Sequence, residues 1–171
     1  MAASIFKTWP IDIHTGGIDL RFPHHDNEVA QSEAYYGCDN WINHFWHTGH
    51  LHIKERKMSK SEKNFITIKE CLQTYSQRQL RYLFLLHSWA NTMNYDPDTS
   101  LPEAAAKDKQ FNEFFLNVKT LQRRTNIKDQ KQCWGEKEYE LSKILQEKRK
   151  SIRAALCDSF DTSTVIVELS Q

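Results

Sequence analysis

Residues 16–28 read GGIDLRFPHHDNE and join a short apolar segment to the start of a helical pattern. The segment IDIH (11–14) before the two glycines is typical of a buried parallel strand. The residues HHDNEVAQSEAYYG (24–37) are typical of a short helix, and WINHFWHTGHLHI (41–53) follows as a second strand region. The order strand, helix, strand predicts a piece of a parallel α/β sheet.

From Thr67 onward the sequence pattern is helical. Thr67 and Glu70 have the spacing of a capping box, and so do Ser76 and Gln79. Ser100 begins a third helix, and DTSTVIVELSQ at the end of the chain starts a further one with an N-cap residue. Two apolar stripes with helical spacing predict core or helix-bundle packing: Phe111, Phe114, Phe115, Val118 and Leu121, then Leu141, Ile144, Leu145, Ile152 and Leu156.

The composition excludes few classes of protein. Lys and Arg number 23 against 22 Asp and Glu over 171 residues, so any basic binding site must be local. A nucleic-acid partner is neither demanded nor excluded.

The sequence contains neither a signal peptide nor an apolar run near the length of a membrane span, which predicts a soluble protein located in the cytoplasm. The cysteines are far apart and form no CxxC pair, which indicates reduced thiols: Cys38, Cys71, Cys133 and Cys157.

A histidine and a carboxylate follow the glycines at helical spacing. On a regular helix His24 and Glu28 project from the same face, close enough to hold one metal ion. Imidazole and carboxylate are both zinc ligands. His25 is the competing ligand by register, and a surface pair or a charge at the start of a helix is the alternative interpretation.

The glycines themselves are candidates for a ligand site. Gly16 and Gly17 allow the backbone to approach a bound group at the end of a strand, where open α/β sheets bind their ligands. Asp19 is placed to accept hydrogen bonds from ribose hydroxyls. A tight turn between strand and helix explains the same residues without a ligand.

The segment KMSKS (57–61) is rich in lysine and hydroxyl groups. Lys57 and Lys60 carry point charges on flexible stems, and Ser59 and Ser61 supply hydroxyl donors between them. Such a loop closes over a polyphosphate and neutralises charge that builds up during nucleotidyl transfer. A solvated charged loop is the alternative interpretation.

Five segments carry a likeness to one family: DIHTGGIDLRFPHHDNEVAQSE (12–33), HTGHL (47–51), KMSKSEKNFITIKE (57–70), RQLRYLFLLHSW (78–89) and FNEFFLNV (111–118). Together they resemble the second half of a cysteinyl-tRNA synthetase, a class I aminoacyl-tRNA synthetase, and its eukaryotic cytosolic type in particular. The resemblance extends over about residues 11–165. It implies that residues 1–66 are part of a Rossmann-type catalytic domain with the KMSKS loop, and that residues 67–171 are a truncated helical stem-contact and anticodon-side domain.

The resemblance also implies a reaction. Members of this family are cysteine-tRNA ligases, which activate cysteine with ATP to cysteinyl-adenylate and pyrophosphate, then transfer the aminoacyl group to tRNA. Magnesium is expected to accompany the ATP. The roles implied for residues of this chain are catalysis by Lys57 and Lys60, binding of ATP by Gly17, Asp19, Lys57, Ser59 and Lys60, and a place in the amino-acid pocket for His14.

Zinc is the cofactor that the resemblance implies. Residues matching His24 and Glu28 join two cysteines around zinc in this family, and the metal binds the substrate as a thiolate. A hydroxyl is a much poorer ligand, so serine is rejected without an editing site. The four cysteines of this chain match neither zinc cysteine. Those cysteines and the HIGH-type motif would precede residue 1, so we expect a fragment without full activity.

The expected partners are cysteine tRNA, cysteine and ATP, with no membrane. Half of a Rossmann-type sheet exposes an unpaired edge, which predicts self-association. Two alternatives remain open. One is a non-catalytic module that binds tRNA or protein. The other is an adenylyl-transferring enzyme with a different substrate, which the spacing of HHDNE disfavours.

Overall fold

The computed structural model describes residues 5–6, 9–53, 56–57, 65–124 and 133–171, and for Arg56, Lys57 and Arg124 the backbone alone. The chain divides into two compact units. Unit 1 contains Met1–Phe65 and Trp89–Tyr95, and unit 2 contains Ile66–Ser88 and Asp96–Gln171. The functional assignment of residues 1–66 and 67–171 to two domains stays a prediction.

Unit 1 contains the predicted strand, helix and strand. Strand β1 (Ile11–Gly17) runs parallel to β2 (Ile42–Thr48), and helix α1 (Asp26–Tyr36) connects them. In the register of the pair, Gly16 lies opposite His47. The expected fold class, part of a Rossmann-type parallel sheet followed by helices, is confirmed.

Two short helical turns separate β1 from α1. A 3₁₀ turn covers Ile18–Leu20 and a π-helical turn covers Arg21–His25. Within the second turn Phe22 has extended backbone angles, φ −134° and ψ 136°, so the chain bends there and regular α-helix begins at Asp26. The helix ends at Gly37, whose φ of 61° lies in the left-handed region that glycine adopts without strain.

The core of unit 1 lies where β1 and β2 begin. Ile11 and Ile42 are buried with Trp41, and Tyr36, Cys38 and Phe45 pack against them. The rings of Tyr36 and Trp41 stack with centroids 5.4 Å apart. This apolar cluster fixes the register in which the two strands pair.

A second small sheet completes the described part of unit 1. Strand β3 (Leu51–Ile53) pairs antiparallel with β4 (Arg56–Lys57) and parallel with β5 (Met93–Tyr95). The sequence pattern did not predict β5, which comes from a segment that follows two helices. Lys57 is the last residue of β4, whereas Ser59, Lys60 and Ser61 lie outside the described residues.

Unit 2 is helical in its described part. Its helices are α2 (Ile68–Thr74), α3 (Gln77–Leu85), α4 (Ser100–Arg124), α5 (Glu136–Cys157) and α6 (Thr162–Ser170). Both predicted capping boxes are present, at the starts of α2 and α3, and Asp161 caps α6. Among the described residues, every helix is too short or too polar to cross a membrane.

The two apolar stripes of unit 2 form helices, but the predicted core or helix-bundle packing is wrong for most of their residues. The buried side chains of this unit lie elsewhere, for example Leu83, Leu101 and Ile166. Between 42% and 67% of the residue surface is exposed at seven stripe positions: Phe114, Phe115, Leu121, Leu141, Ile144, Leu145 and Leu156. Helical spacing gives a helix an apolar face, but it does not specify what packs against that face.

Candidate metal and nucleotide site

Three potential metal ligands come together between β1 and α1. His14 lies on β1, and its Nε2 atom is 3.1 Å from Oε2 of Glu28 in the first turn of α1. His25 precedes α1 and is only 4% exposed. One ligand atom from each of these three residues lies within 4.8 Å of the other two, which is close enough for a single ion to contact all three.

His25 is held by a fourth side chain. Its Nδ1 atom lies 2.9 Å from Nε2 of His47 on β2, so one of these nitrogens donates a hydrogen bond to the other. A Cβ atom on Gly16 would lie 2.8 Å from Cε1 of His25. Gly16 therefore has to lack a side chain for the imidazole to pack against the end of β1.

The surroundings of His25 favour its neutral form. Burial, together with the nearby imidazoles of His14 and His47, lowers the pKa of His25 below its ordinary value of 6.5, while the Glu28 carboxylate opposes this shift. Neutral imidazole is the form that coordinates a metal.

An aromatic side chain, Phe45, packs against the histidines of the candidate metal site. The ring of Phe45 meets His14 edge-on, with centroids 5.5 Å apart, and its centroid is 5.3 Å from that of His25. Apolar contacts of this kind limit the access of water to the ligands and strengthen electrostatic interactions among them.

The structure brings together one part of the predicted set. His14 and Glu28 meet directly. The ring of His24 lies beside His25, with centroids 5.6 Å apart, but His24 is not in the group of three ligands. His25, the competing ligand by register, takes the place beside Glu28. His47 was not predicted from the sequence, and the pairing of the two strands brings it to His25.

The donors present fit zinc. Two imidazole nitrogens and one carboxylate oxygen are the protein ligands of many catalytic zinc sites, which keep a further position for a ligand from solution. The cysteines are not members of the group of three, and Cys38 packs in the apolar core of unit 1. The group of three ligands therefore offers nitrogen and oxygen atoms to a metal ion, and no sulfur atom.

Two of the residues predicted to bind ATP, Gly17 and Asp19, lie at the carboxyl end of β1. Gly17 is the last residue of the strand, and Asp19 follows in the 3₁₀ turn, with Oδ1 3.9 Å from Nδ1 of His50. Open α/β sheets bind ligands at this end of their strands. The ATP contacts of Gly17 and Asp19 stay predictions, as do those of Lys57, Ser59 and Lys60, whose side chains the structure does not describe.

Comparison with known families identifies the class of protein. The family described as tRNA synthetases class I (C) catalytic domain matches residues 1–107. The chain belongs to this family, and the resemblance to a class I synthetase is confirmed.

Individual relatives extend the match over almost the whole chain. The cytoplasmic cysteine–tRNA ligase of Gallus gallus is 53% identical over 170 residues, which is 99% of this chain and 22% of the relative. The Homo sapiens protein of the same name is 54% identical over 160 residues, 93% of this chain and 21% of its own length. The Drosophila melanogaster protein is 47% identical over 169 residues. The chain thus spans about a fifth of the length of these curated relatives.

A solved structure shares the fold. The LeuRS chain in the ternary complex of Agrobacterium radiobacter K84 agnB2 LeuRS–tRNA–LeuAMS superposes with a TM-score of 0.73 at 18% identity. The match covers 94% of this chain and 21% of that chain.

Proposed function

We propose that this chain is part of a cysteine–tRNA ligase, an enzyme that activates cysteine with ATP and transfers it to tRNA. The observation that carries the proposal is the identity of about half of the residues, over nearly the whole chain, to proteins of that name. The cytoplasmic location in those names is part of the same proposal. Self-association through the sheet edge stays a prediction that sedimentation velocity can test.

The cofactor proposed is zinc. His24 and Glu28 are the zinc ligands expected from the sequence, whereas the grouping of side chains favours His14 and His25 with Glu28. A bound zinc ion would supply a coordination position that prefers the thiolate of cysteine to the hydroxyl of serine. Discrimination between the two amino acids then needs no editing site.

The protein's own residues have separate tasks at this site. Glu28 contributes the negative charge that offsets part of the charge of a divalent cation. His47 holds the ring of His25 in one orientation through the hydrogen bond between Nδ1 and Nε2. The ring of Phe45 packs against His14 and His25 and limits the access of water to that side of the two imidazoles.

ATP with magnesium is the proposed second substrate. Gly17 gives a phosphate or sugar room to approach the end of β1, and Asp19 is suited to hydrogen-bond ribose hydroxyls. Lys57 and Lys60 are proposed to stabilise the leaving pyrophosphate, with Ser59 donating hydrogen bonds beside them. His14 would border both the metal and the amino acid, which agrees with its position on β1 next to Glu28.

Cobalt(II) substitution tests the amino-acid specificity of the site. Added to the purified chain loaded with Co²⁺, cysteine is expected to produce a sulfur-to-metal charge-transfer band, whereas serine is not. The variant Glu28→Ala should lose the band. The control His44→Ala should retain it, because His44 is exposed on β2 and is not in the group of three ligands.

Exchange of labelled pyrophosphate into ATP tests the reaction itself. Exchange that depends on cysteine, and that serine does not support, would confirm adenylation. Absence of exchange alone agrees with the fragment without full activity that the sequence predicts. If a folded chain binds Co²⁺ but gives no charge-transfer band with cysteine, the proposed cysteine site is wrong, and a non-catalytic module becomes the better interpretation.

A further inference from the structure

The turn that follows β2 brings a histidine to the predicted ribose-binding residue, Asp19. His50 lies between β2 and β3, and its Nδ1 atom is 3.9 Å from Oδ1 of Asp19. The same carboxylate folds back towards the end of β1, because a Cβ atom on Gly17 would lie 2.5 Å from Oδ1. The Asp19 carboxylate is thus located between the end of β1 and the imidazole of His50.

Backbone hydrogen bonds anchor the chain at His50. The N–H of Gly49 donates to the carbonyl of Trp89 at 2.9 Å, and the carbonyl of His50 accepts from the N–H of Met93 on β5 at 2.9 Å. Two consecutive residues of the turn are therefore attached to the segment that leads into β5. His50 presents its imidazole to Asp19 from this anchored position.

The ends of β1 and β2 are joined at the same edge of the sheet. Gly17 pairs with Thr48 in the register of the two strands, and the hydroxyl of Thr48 donates to the carbonyl of Gly16 at 3.4 Å. Asp19 comes two residues after Gly17, and His50 comes two residues after Thr48. Both residues therefore follow the carboxyl ends of parallel strands, where open α/β sheets bind their ligands.

A contribution to folding is a weak explanation for the contact between His50 and Asp19. Half of the Asp19 side chain, 50%, and 27% of the His50 side chain are exposed. An ion pair with this much exposure to water contributes little to stability. A contact that holds the carboxylate in one orientation, however, lowers the entropy cost that a ligand of Asp19 has to meet on binding.

We infer that His50 is a positioning residue for the nucleotide: it orients the carboxylate of Asp19, which accepts hydrogen bonds from the ribose hydroxyls. The inference rests on the proposed function for ATP as the ligand of Asp19. It adds a residue that favours a ribonucleotide over a nucleotide without ribose hydroxyls. It requires no contact between His50 and the nucleotide, so the effect of His50 on affinity should depend on both the Asp19 carboxylate and the ribose hydroxyls.

Calorimetric titration of the whole chain with two nucleotides tests this dependence, using ATP and 2′,3′-dideoxy-ATP, each with magnesium. His50→Ala is expected to weaken binding of ATP by about threefold to tenfold, which is the range for one partly exposed contact to a charged group. The affinity for 2′,3′-dideoxy-ATP should change by less than about twofold. Equal weakening for the two nucleotides would overturn the inference, because His50 would then only support the fold of the site.

A double-mutant cycle tests whether His50 acts through Asp19. Asp19→Asn should itself weaken binding of ATP, and adding His50→Ala to it should cause little further loss, because the carboxylate that His50 orients is then absent. Additive losses would contradict the inference. His50→Asn, whose side-chain amide can take the position of Nδ1, should recover part of the affinity for ATP.

His44→Ala is the matched control, because it removes an exposed imidazole from the middle of β2. Both nucleotide affinities of this variant should stay within about twofold of the parent chain. Circular dichroism shows whether each variant keeps its fold. A loss of ATP affinity in His44→Ala as large as that in His50→Ala would overturn the inference.

Further outcomes separate this inference from the proposed function. A selective loss of ATP affinity in His50→Ala, from a chain that catalyses no pyrophosphate exchange, supports the inference even though this fragment lacks the proposed reaction. Cysteine-dependent exchange in the parent chain, with equal losses for the two nucleotides in His50→Ala, contradicts only the inference. A folded parent chain that binds neither nucleotide overturns the inference, whereas a charge-transfer band with cysteine would still support the proposed cysteine site.

Discussion

Arg78 on α3 and Asp108 on α4 form an ion pair in which Nε lies 2.6 Å from Oδ1. Asp108 is buried, and Nη2 of the same guanidinium donates a hydrogen bond of 2.6 Å to Oδ1 of Asn112. One arginine thus satisfies two polar groups one helical turn apart on α4. This arrangement ties the short α3 to the much longer α4.

The variant Arg78→Ala should be clearly destabilising, because it removes the ion-pair partner of the buried Asp108 carboxylate and leaves only the longer hydrogen bond from Nδ2 of Asn112 among the described contacts. Part of the arginine is exposed, so we expect a loss of about 1–3 kcal/mol in the free energy of unfolding. Urea unfolding followed by circular dichroism measures it. Lys109→Ala is the control, since Lys109 pairs with Glu113 on the exposed surface at 3.8 Å and should contribute less than about 0.5 kcal/mol.

The capping box of α2 should make stability depend on pH. Hydrogen bonds from the backbone N–H and the hydroxyl of Thr67 lower the pKa of Glu70 below its ordinary value of 4.5. The stabilisation is therefore complete above the unfolded pKa and is lost as the pH falls through the folded one. Thr67→Ala should cost about 1 kcal/mol at neutral pH and less in acid.

The capping box of α3 supplies the control for this pH effect. Ser76 and Gln79 make the equivalent contacts, but the amide of Gln79 does not titrate. The cost of Ser76→Ala should therefore stay constant over the range in which the cost of Thr67→Ala declines. Thermal unfolding of both variants from neutral pH to about pH 3 measures the difference, and parallel curves would contradict the role of the Glu70 charge.

Gly49 is expected to tolerate no side chain. A Cβ atom there would lie 2.1 Å from the backbone oxygen of Asn91, and the Gly49 N–H donates to the carbonyl of Trp89. Gly49→Ala should destabilise unit 1 by about 1–3 kcal/mol, because backbone has to move. The stacked rings of Trp46 and Trp89 provide a fluorescence signal for the same region.

Gly37 provides the contrast to Gly49. It has a positive φ, but among the described residues no atom beyond its two chain neighbours lies within 4 Å of the position that a Cβ would occupy. Asparagine adopts this backbone conformation readily, so Gly37→Asn should cost less than about 1 kcal/mol. Equal costs at Gly37 and Gly49 would contradict the steric argument.

Local signals explain which parts of the fold were predictable. The capping boxes at Thr67 and Ser76 depend on residues three positions apart, and the strands at Ile11 and Ile42 are marked by apolar runs. Strand β5 was missed because its three residues pair with β3 across about forty positions of chain. No local pattern reports such a contact.

The candidate site shows the same limit of local sequence patterns, here for the positions of single side chains. The assignment of His24 to a shared face with Glu28 assumed a regular helix from residue 24 onward. The extended backbone at Phe22 and the π-helical turn delay that helix to Asp26. His25 therefore takes the position beside Glu28. The contact between His25 and His47 depends on strand pairing, which a pattern within one segment does not contain.

Zinc affinity of single-histidine variants distinguishes the two ligand sets. If His25 is the ligand, His25→Ala should weaken binding of Zn²⁺ far more than His24→Ala, measured by competition with a chromophoric chelator. His47→Ala should lower the affinity by about tenfold to a hundredfold, because the His25 ring loses its hydrogen bond. His47→Gln, which retains a hydrogen-bonding group, should recover part of the loss. A larger effect from His24→Ala than from His25→Ala would instead confirm the ligand set expected from the sequence.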